Sequence, residues 1–315
     1  MQEVLTFADI RAAAVRIAAQ VNRTPVLRCA PLEAELDAQI FCKCENFQEM
    51  GAFKIRGATN AVLSLSATAA AYGVATHSSG NHGAALALAA RRRGIPAWVV
   101  MPENSSAFKK RAVAGYGAQI IYCEPSMQGR EAALARCVAE TGAVVVHPFN
   151  DAVVMAGQGT AALELHAEIP DLDMVLAPVG GGGLLSGTAV ATRALRPACR
   201  IIGVEPLSAD DAWRSLQAGH IQPVAHPDTV CDGLRATIGP LTFTVLRAQV
   251  DEIVRVTDAE VIAAMRFAWE RMKIIIEPSA AVVFAALRAA RVSVKGLRVG
   301  VILSGGNVDL DHLPW

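Results

Sequence analysis

The sequence has no surplus of charge of either sign. Lysine and arginine together number 29, and aspartate and glutamate also number 29, so the formal net charge is zero. A protein that binds nucleic acid by neutralising many phosphates needs a basic surplus, and attachment to an anionic membrane surface needs a polybasic segment. The charge balance therefore excludes both classes of partner and favours a protein that acts on small molecules.

Long hydrophobic runs are also lacking. The longest apolar stretches, near residues 84–90 and 280–287, are far shorter than the ~20 residues that a membrane-spanning helix needs. Charged residues interrupt the first twenty positions, where a secretory signal would need an unbroken apolar core. We therefore expect no membrane segment, no signal peptide and a cytoplasmic location.

The seven cysteines form no pattern. Their number is odd, their spacing is scattered and no C-x-x-C pair occurs. A disulfide framework or a zinc site would show a more regular spacing, so we expect buried thiols in a reducing compartment.

What the sequence does have is abundant apolar residues in short runs. Hydrophobic residues make up 53% of the chain, which is ample for a large core. Continuous apolar runs predict strands at 39–44, 74–77, 97–101, 119–123, 144–147, 174–178, 201–205, 252–256 and 299–303. Helical patterns lie between them, as at 84–93, 130–140, 187–195 and 259–272. This alternation predicts an open α/β fold, and nine strands form two sheets more readily than one.

A glycine-rich segment at 178–187, PVGGGGLLSG, follows a predicted strand and opens a predicted helix. Four consecutive glycines let the backbone approach an anion, which favours phosphate binding over a merely flexible turn. A dinucleotide site is an alternative at this point, because Gly181, Gly183 and Gly187 fit a loose G-x-G-x-x-x-G pattern. Glu205 also ends the next strand, where a ribose-binding acid would lie.

Two further segments carry groups suited to chemistry. THSSGNHG, at 76–83, places hydroxyl, amide and imidazole groups at a helix start, which suits a substrate carboxylate, although one such residue could simply cap the helix. Lys54 lies between Phe53 and Ile55, and a lysine in apolar surroundings has a lowered pKa and can form a Schiff base. Its spacing alone slightly favours an ordinary surface lysine.

The motifs KCENFQ, GAFKIRGA, THSSGNHG, PVGGGGLLSG and LSGGNVD, in this order, resemble those of the fold-type-II enzymes that use pyridoxal 5′-phosphate (PLP). Within that group the chain is similar to the serine/threonine dehydratase and serine racemase family, from about Thr24 to its end. A dinucleotide-dependent oxidoreductase would have no use for the lysine motif. The resemblance implies an α/β fold like the tryptophan synthase β chain, with the cofactor between two open parallel-sheet domains. The large domain would comprise residues 1–68 and 151–315, and the small domain residues 73–148.

The resemblance also implies roles for particular residues. Lys54 would be the Schiff-base lysine, with Phe53 beside the ring and Asn81 bonded to the 3′-oxygen. The phosphate would be held by Gly180, Gly181, Gly182, Gly183 and Leu184. Ser304 would face the pyridine nitrogen, and a hydroxyl does not hold that nitrogen protonated, which favours elimination over transamination.

The reaction implied is dehydration of a β-hydroxy amino acid, of the L-serine or L-threonine type, to a 2-oxo acid and ammonia. The α-carboxylate would be held by Ser78, Ser79, Asn81 and His82. Ser79 matches the acid/base position of serine racemases, so racemisation is an alternative activity, and Thr237 would help to form the substrate pocket. The GAFK form of the lysine motif, with Ala52 before Phe53, resembles that of 3-hydroxyaspartate dehydratases. Their substrate has a second carboxylate, which would need a cation such as Arg130 or His82.

A metal site and an assembly state are also implied by the resemblance. Glu205, Asp211 and the carbonyl of Ala209 match the segment where the family binds a divalent cation, here Mg²⁺, Ca²⁺ or Mn²⁺. The alternative is that Asp210 and Asp211 only cap a helix start or complement its dipole. Analogy with the family further predicts a homodimer.

Overall fold

A computed structural model describes residues 4–78 and 80–315. The helices are α1 (Phe7–Ile17), α2 (Ala30–Leu36), α3 (Lys54–Ser64), α4 (Ala67–Ala71), α5 (Asn81–Arg93), α6 (Ala107–Gly115), α7 (Met127–Thr141), α8 (Ala152–Glu168), α9 (Gly183–Leu195), α10 (Asp211–Ala218), α11 (Pro240–Gln249), α12 (Asp258–Phe267) and α13 (Pro278–Arg288). The strands are β1 (Val26–Arg28), β2 (Gln39–Cys44), β3 (Val74–His77), β4 (Ala97–Pro102), β5 (Gln119–Cys123), β6 (Val144–Val145), β7 (Met174–Pro178), β8 (Arg200–Pro206), β9 (Glu252–Val256) and β10 (Arg298–Leu303).

The strands form two sheets. One has six strands in the order β1-β2-β10-β7-β8-β9, and the other has four in the order β5-β4-β3-β6. All pairs are parallel except β1 with β2. The prediction of an α/β fold with two parallel sheets is confirmed.

The predicted strands differ from the observed ones mainly at their ends. The strand predicted at 144–147 is shorter, because β6 ends at Val145. The helix predicted at 259–272 ends as an α-helix at Phe267 and continues as a π-turn over Ala268–Met272. β1 was not predicted, since it has only three residues and none of them is fully buried.

The four-stranded sheet is built from residues 74–145, and the six-stranded sheet from residues before and after that segment. In parallel sheets, ligands bind beyond the carboxyl ends of the strands. The segments that follow β3, β6, β7 and β10 all line one cavity, to which both sheets therefore contribute.

Within the described ranges, no helix combines the length and apolar character that crossing a bilayer requires.

A buried ionic network fixes the segment that leads into this cavity. Arg56, on the first turn of α3, is fully buried and pairs with Glu45, whose oxygens lie 2.7 and 2.9 Å from its nitrogens. Glu164, on α8, accepts from Arg56 and also from Lys43 at 2.6 Å. The GAFKIRGA and KCENFQ motifs thus contain structural charges as well as Lys54. Because breaking a buried ion pair is strongly destabilising, this network ties α3 to β2 and α8.

Candidate active site

A cavity of about 1200 Å³ lies where the two sheets meet. It is lined by the segments that the sequence motifs singled out. These are Phe53, Lys54, Ser78, Asn81, His82, Arg130, Gly180, Gly181, Gly182, Gly183, Leu184, Thr237 and Ser304. The structure thus brings together every predicted cofactor and substrate residue except Ser79, which lies outside the described residues.

Lys54 begins α3 and lines the cavity. Its Nζ donates to the carbonyl of Pro148 at 2.8 Å and lies 5.1 Å from the centre of the Phe53 ring. The backbone N–H of Phe53 donates to the carbonyl of Ser304 at 3.0 Å, which anchors the residue before the lysine. Burial lowers the pKa of Lys54 to about 8, against a smaller opposing effect of the Glu277 charge. A free amine is therefore available near neutral pH.

We expect the Lys54 amine to react with acetic anhydride along a pH curve whose midpoint is near 8. The protonated amine is unreactive, so reactivity rises as pH passes the lowered pKa of Lys54 rather than the ~10.4 of an ordinary lysine. The measurement is mass spectrometry of the Lys54 peptide after brief labelling of the cofactor-free protein at each pH. A midpoint above 10 would contradict the effect of burial.

Six lysines occur in the chain, and two of them line the cavity. The other cavity lysine, Lys109 on α6, forms an ion pair with Asp232. The charge of Lys109 is therefore paired with a carboxylate, whereas the Lys54 amine donates to no carboxylate within the described chain. Lys54 is thus the lysine that the structure best offers as a nucleophile.

The glycine loop joins β7 to α9. Gly182 has φ +86° and directly precedes the helix, a conformation that favours glycine. A Cβ on Gly181 would lie 2.2 Å from the Phe149 ring, so that position also requires glycine. Among the described residues, none accepts a hydrogen bond from the N–H groups of Gly180 to Gly183. Free N–H groups at the start of a thirteen-residue helix are suited to a phosphate.

The THSSGNHG segment connects β3 to α5, which begins at Asn81. Ser78 Oγ accepts from the N–H of Gly80 at 3.3 Å. His82 is buried, and its Nε2 donates to the carbonyl of Val146 at 3.1 Å. Burial lowers the pKa of His82 to about 3, which favours Arg130 over His82 as the source of a second positive charge.

Arg130, on α7, is the remaining candidate for that charge. It is half-buried and lines the cavity. Within the described chain its guanidinium forms neither an ion pair nor a hydrogen bond with another residue. Burial lowers the pKa of nearby His77, and the charge of Arg130 lowers it further. An unpaired guanidinium at a cavity wall is suited to a carboxylate.

Sequence reasoning missed Glu277, which immediately precedes α13. Its carboxylate is buried and accepts from Asn81 Nδ2 at 3.0 and 3.1 Å. Asn307, four residues past the end of β10, donates its N–H to Glu277 at 3.2 Å and its Nδ2 to Asn81 Oδ1 at 2.9 Å. Burial raises the pKa of Glu277 to about 8. The single usable signal was an acidic residue before Pro278 at a helix start, which by itself indicates no function.

The predicted metal residues lie outside the cavity lining. Glu205 is the penultimate residue of β8, and its two oxygens accept from the N–H groups of Ala212 and Trp213 at 3.1 and 2.8 Å. Asp211 Oδ2 accepts from the N–H of Ile238 at 2.8 Å. Both carboxylates are buried. Asp210 is the N-cap residue of α10 but forms no side-chain cap hydrogen bond, and it is Glu205 that accepts from the first turn of this helix.

Comparison with known proteins bears directly on these features. The family described as pyridoxal-phosphate dependent enzyme matches residues 17–305. The chain belongs to this family. The predicted resemblance and the predicted PLP cofactor are thereby confirmed. The cavity fits the cofactor, because it combines an amine with a lowered pKa and a helix start whose N–H groups are free.

Individual members of the PLP-dependent family are similar over nearly the whole chain. The beta-hydroxyaspartate dehydratase of Paracoccus denitrificans (strain Pd 1222) is 49% identical over 310 residues, which cover 98% of each chain. The L-threo-3-hydroxyaspartate ammonia-lyase of Saccharomyces cerevisiae is 45% identical, covering 98% of this chain and 94% of the other. Among solved structures, maize serine racemase has a TM-score of 0.95 and 43% identity, covering 98% of this chain and 95% of that one.

Proposed function

We propose that this PLP-dependent enzyme is an ammonia-lyase that dehydrates 3-hydroxyaspartate to oxaloacetate and ammonia. The observation that carries the choice of substrate is Arg130, a cavity guanidinium without an ion-pair partner in the described chain. L-Serine and L-threonine have one carboxylate, whereas 3-hydroxyaspartate has two. The similarity to two proteins named for hydroxyaspartate, at 49% and 45% identity, supports the same choice.

The cavity residues account for the steps of such a reaction. Lys54 supplies the amine that attaches the cofactor and, once freed by the substrate, the base that accepts the α-proton. The helix start at Asn81, with Ser78, holds the α-carboxylate, and Arg130 holds the β-carboxylate. Bound PLP supplies the electron sink. The Ser304 hydroxyl lines the cavity and would meet the ring nitrogen of bound PLP without charging it, which favours elimination. The β-hydroxyl would then leave with its bonding electron pair and take up the proton that Lys54 removed from the α-carbon, so that it departs as water.

The resulting enamine tautomerises to an imine, and water hydrolyses it to the 2-oxo acid and ammonia. Water is thus lost in the first stage and consumed in the second. Racemisation is proposed as a side activity, because the chain is similar to serine racemase and carries Ser79 at the position of the opposite-face acid or base.

The substrate proposal is tested by comparing 3-hydroxyaspartate isomers with L-serine and L-threonine. We expect the wild-type protein to have its highest kcat/KM for a 3-hydroxyaspartate isomer, measured as ammonia and oxaloacetate released. Arg130→Met should lower that value by about 10- to 100-fold, the usual effect of losing a hydrogen-bonded charge, with little change for L-serine. Arg130→Lys should restore part of the activity, because it keeps the charge without the bidentate geometry.

The L-serine reaction is the control in this experiment. Equal losses on both substrates would mean that Arg130 binds the α-carboxylate that they share. In that case the assignment of Arg130 to a second carboxylate would be wrong. Recovered L-serine is also analysed on a chiral column, where D-serine would support the racemase activity.

We also propose that Glu205, Asp211 and the Ala209 carbonyl hold a divalent cation. The two carboxylates are 0% and 2% exposed, and neither forms an ion pair in the described chain. Burial raises the pKa of both groups, that of Asp211 to about 6. Two buried carboxylates whose negative charge no cation of the described chain neutralises, together with a carbonyl oxygen, suit Mg²⁺ or Ca²⁺. Mn²⁺ is a further candidate.

Removing the cation should lower the melting temperature. A ligand at 100 times its Kd stabilises the folded state by about 2.7 kcal/mol, so chelation should shift Tm by several degrees. The shift is measured by differential scanning fluorimetry with EDTA and with added Mg²⁺. It should disappear in Asp211→Asn. The neighbouring variant Asp210→Asn is the control, since Asp210 pairs with Arg214 and Arg255 instead; loss of the shift in both variants, or in neither, would refute the site.

The homodimer and the domain boundaries remain proposals that rest on the family resemblance. Light scattering coupled to size exclusion would test the first, with twice the monomer mass as the expected result. Limited proteolysis near residues 69–72 and 149–150 would test the second.

A further inference from the structure

Glu277 is a buried carboxylate inside the cavity to which the reaction assigns no step. It is 4% exposed, and among the described residues it forms no ion pair with a lysine or arginine. Instead, the groups of the described chain that donate hydrogen bonds to its carboxylate are neutral: the Asn81 amide, at 3.0 and 3.1 Å, and the N–H of Asn307, at 3.2 Å. A buried carboxylate is costly, so its retention beside Asn81 calls for a reason.

Asn81, Glu277 and Asn307 form a closed ring of hydrogen bonds. Asn307 Nδ2 donates to Asn81 Oδ1 at 2.9 Å and also to the carbonyl of Met50 at 2.9 Å. The Asn81 amide therefore meets an acceptor at its nitrogen and a donor at its oxygen. Rotating that amide by half a turn would set oxygen against the Glu277 carboxylate and nitrogen against the Asn307 amide nitrogen. One orientation of Asn81 is thus enforced.

The enforced orientation leaves one Asn81 hydrogen free. The amide nitrogen carries two hydrogens, and both Glu277 oxygens lie at similar distances from it, as expected when one N–H is shared between them. We propose that Glu277 is a positioning residue for the cofactor, which holds the Asn81 amide so that its second N–H remains directed to the ring oxygen of bound PLP. This inference rests on the proposed role of Asn81.

The surroundings of Glu277 are shaped to admit a carboxylate. A Cβ on Gly305 would lie 2.8 Å from Glu277 Oε1 and 3.1 Å from the Cβ of Ala52, so glycine leaves the room that the carboxylate occupies. The hydrogen bonds from Asn81 and Asn307 favour the ionised form of Glu277 against its burial, and above its pKa of about 8 the carboxylate offers two acceptors. Glutamine has the same shape but only one acceptor. If its oxygen faces Asn307, its NH₂ group opposes the Asn81 amide nitrogen, and the reverse orientation leaves the Asn307 N–H unpaired. Glu277→Gln therefore disturbs Asn81 with little change of volume.

A double-mutant cycle on PLP affinity tests this role. The dissociation constant of PLP is measured by absorbance titration of cofactor-free wild-type, Glu277→Gln, Asn81→Ala and the double variant. We expect Glu277→Gln to weaken PLP binding about tenfold in the wild-type background and to have no further effect once Asn81 is alanine. The absorbance maximum of bound PLP should also shift in Glu277→Gln, because a hydrogen bond to its ring oxygen is altered.

Three measurements keep the outcome clear. The melting temperature of each cofactor-free variant shows that it is folded, and exposed Glu252→Gln is a control that should leave PLP affinity unchanged. If Glu277→Gln weakens binding equally with and without Asn81, Glu277 acts directly and the proposal is overturned; unchanged affinity overturns it as well. A wild-type protein that binds PLP but releases no ammonia would instead contradict the proposed lyase function and leave this result standing.

Discussion

Replacing Lys54 by alanine is expected to abolish ammonia release, by at least about 10³-fold, because one residue performs two tasks. It supplies the amine that attaches the cofactor, and it supplies the base that takes the α-proton; general-base catalysis alone typically contributes 10²–10⁴-fold. The lowered pKa of Lys54, about 8, makes both tasks possible near neutral pH. The measurement is ammonia release under saturating PLP, with the visible absorbance of the protein recorded in parallel.

Lys110→Ala is the matched control for this variant. Lys110 lies on the same helix as Lys109, bonds through Nζ to the carbonyl of Glu103 at 2.6 Å and does not line the cavity. It should keep wild-type turnover and absorbance. Substantial turnover in Lys54→Ala, without added amine, would remove Lys54 from the reaction and with it the mechanism above.

The second large effect is expected at Arg56, and it concerns stability. Arg56→Leu should lower the free energy of unfolding by about 3–5 kcal/mol, because it leaves the Glu45 carboxylate, which is 0% exposed, without its cation. Glu164 keeps Lys43 as a partner, at 2.6 Å, so Glu45 bears most of the loss. The effect is measured as the shift in the urea midpoint and in Tm of the cofactor-free protein.

The control for Arg56 is an exposed ion pair. Arg200 and Glu252 lie 3.1 Å apart with side chains 48% and 46% exposed, and such pairs contribute about 0–1 kcal/mol. Arg200→Leu should therefore move the midpoint only slightly. A shift in Arg56→Leu no larger than in Arg200→Leu would show that the buried network does not hold α3 in place.

A strand or helix of the fold was predictable where the residues of that segment alone show the pattern of apolar positions. Continuous apolar runs identified nine of the ten strands of the described chain, since a strand covered on both faces has no polar alternation. β1 escaped prediction because its three residues are half-exposed and its antiparallel pairing with β2 depends on a contact between separate segments. The end of α12 likewise depends on the π-turn that follows it.

The residues of the cavity were likewise predictable only where a local sequence motif contains them. Lys54, Asn81 and the glycine loop each lie in a motif with a recognisable chemistry, and the structure brings them to one cavity. Glu277 was not predictable, because it meets Asn81 across 196 positions of sequence and has no local pattern. Glu164 was missed for the same reason, since its contact with Lys43 spans 121 positions. The sequence could not rank Arg130 and His82 as cations, because the burial that lowers the pKa of His82 is not visible in it.

The most direct test of the central claim is to locate the covalent attachment of PLP. Borohydride reduction makes a lysine–cofactor link permanent, and peptide mass spectrometry then identifies the modified residue among the six lysines. The account predicts the pyridoxyl group on Lys54 in near-stoichiometric amount, with loss of ammonia release after reduction. A label on Lys109 or another lysine, or none at all in a protein that still releases ammonia from 3-hydroxyaspartate, would contradict it.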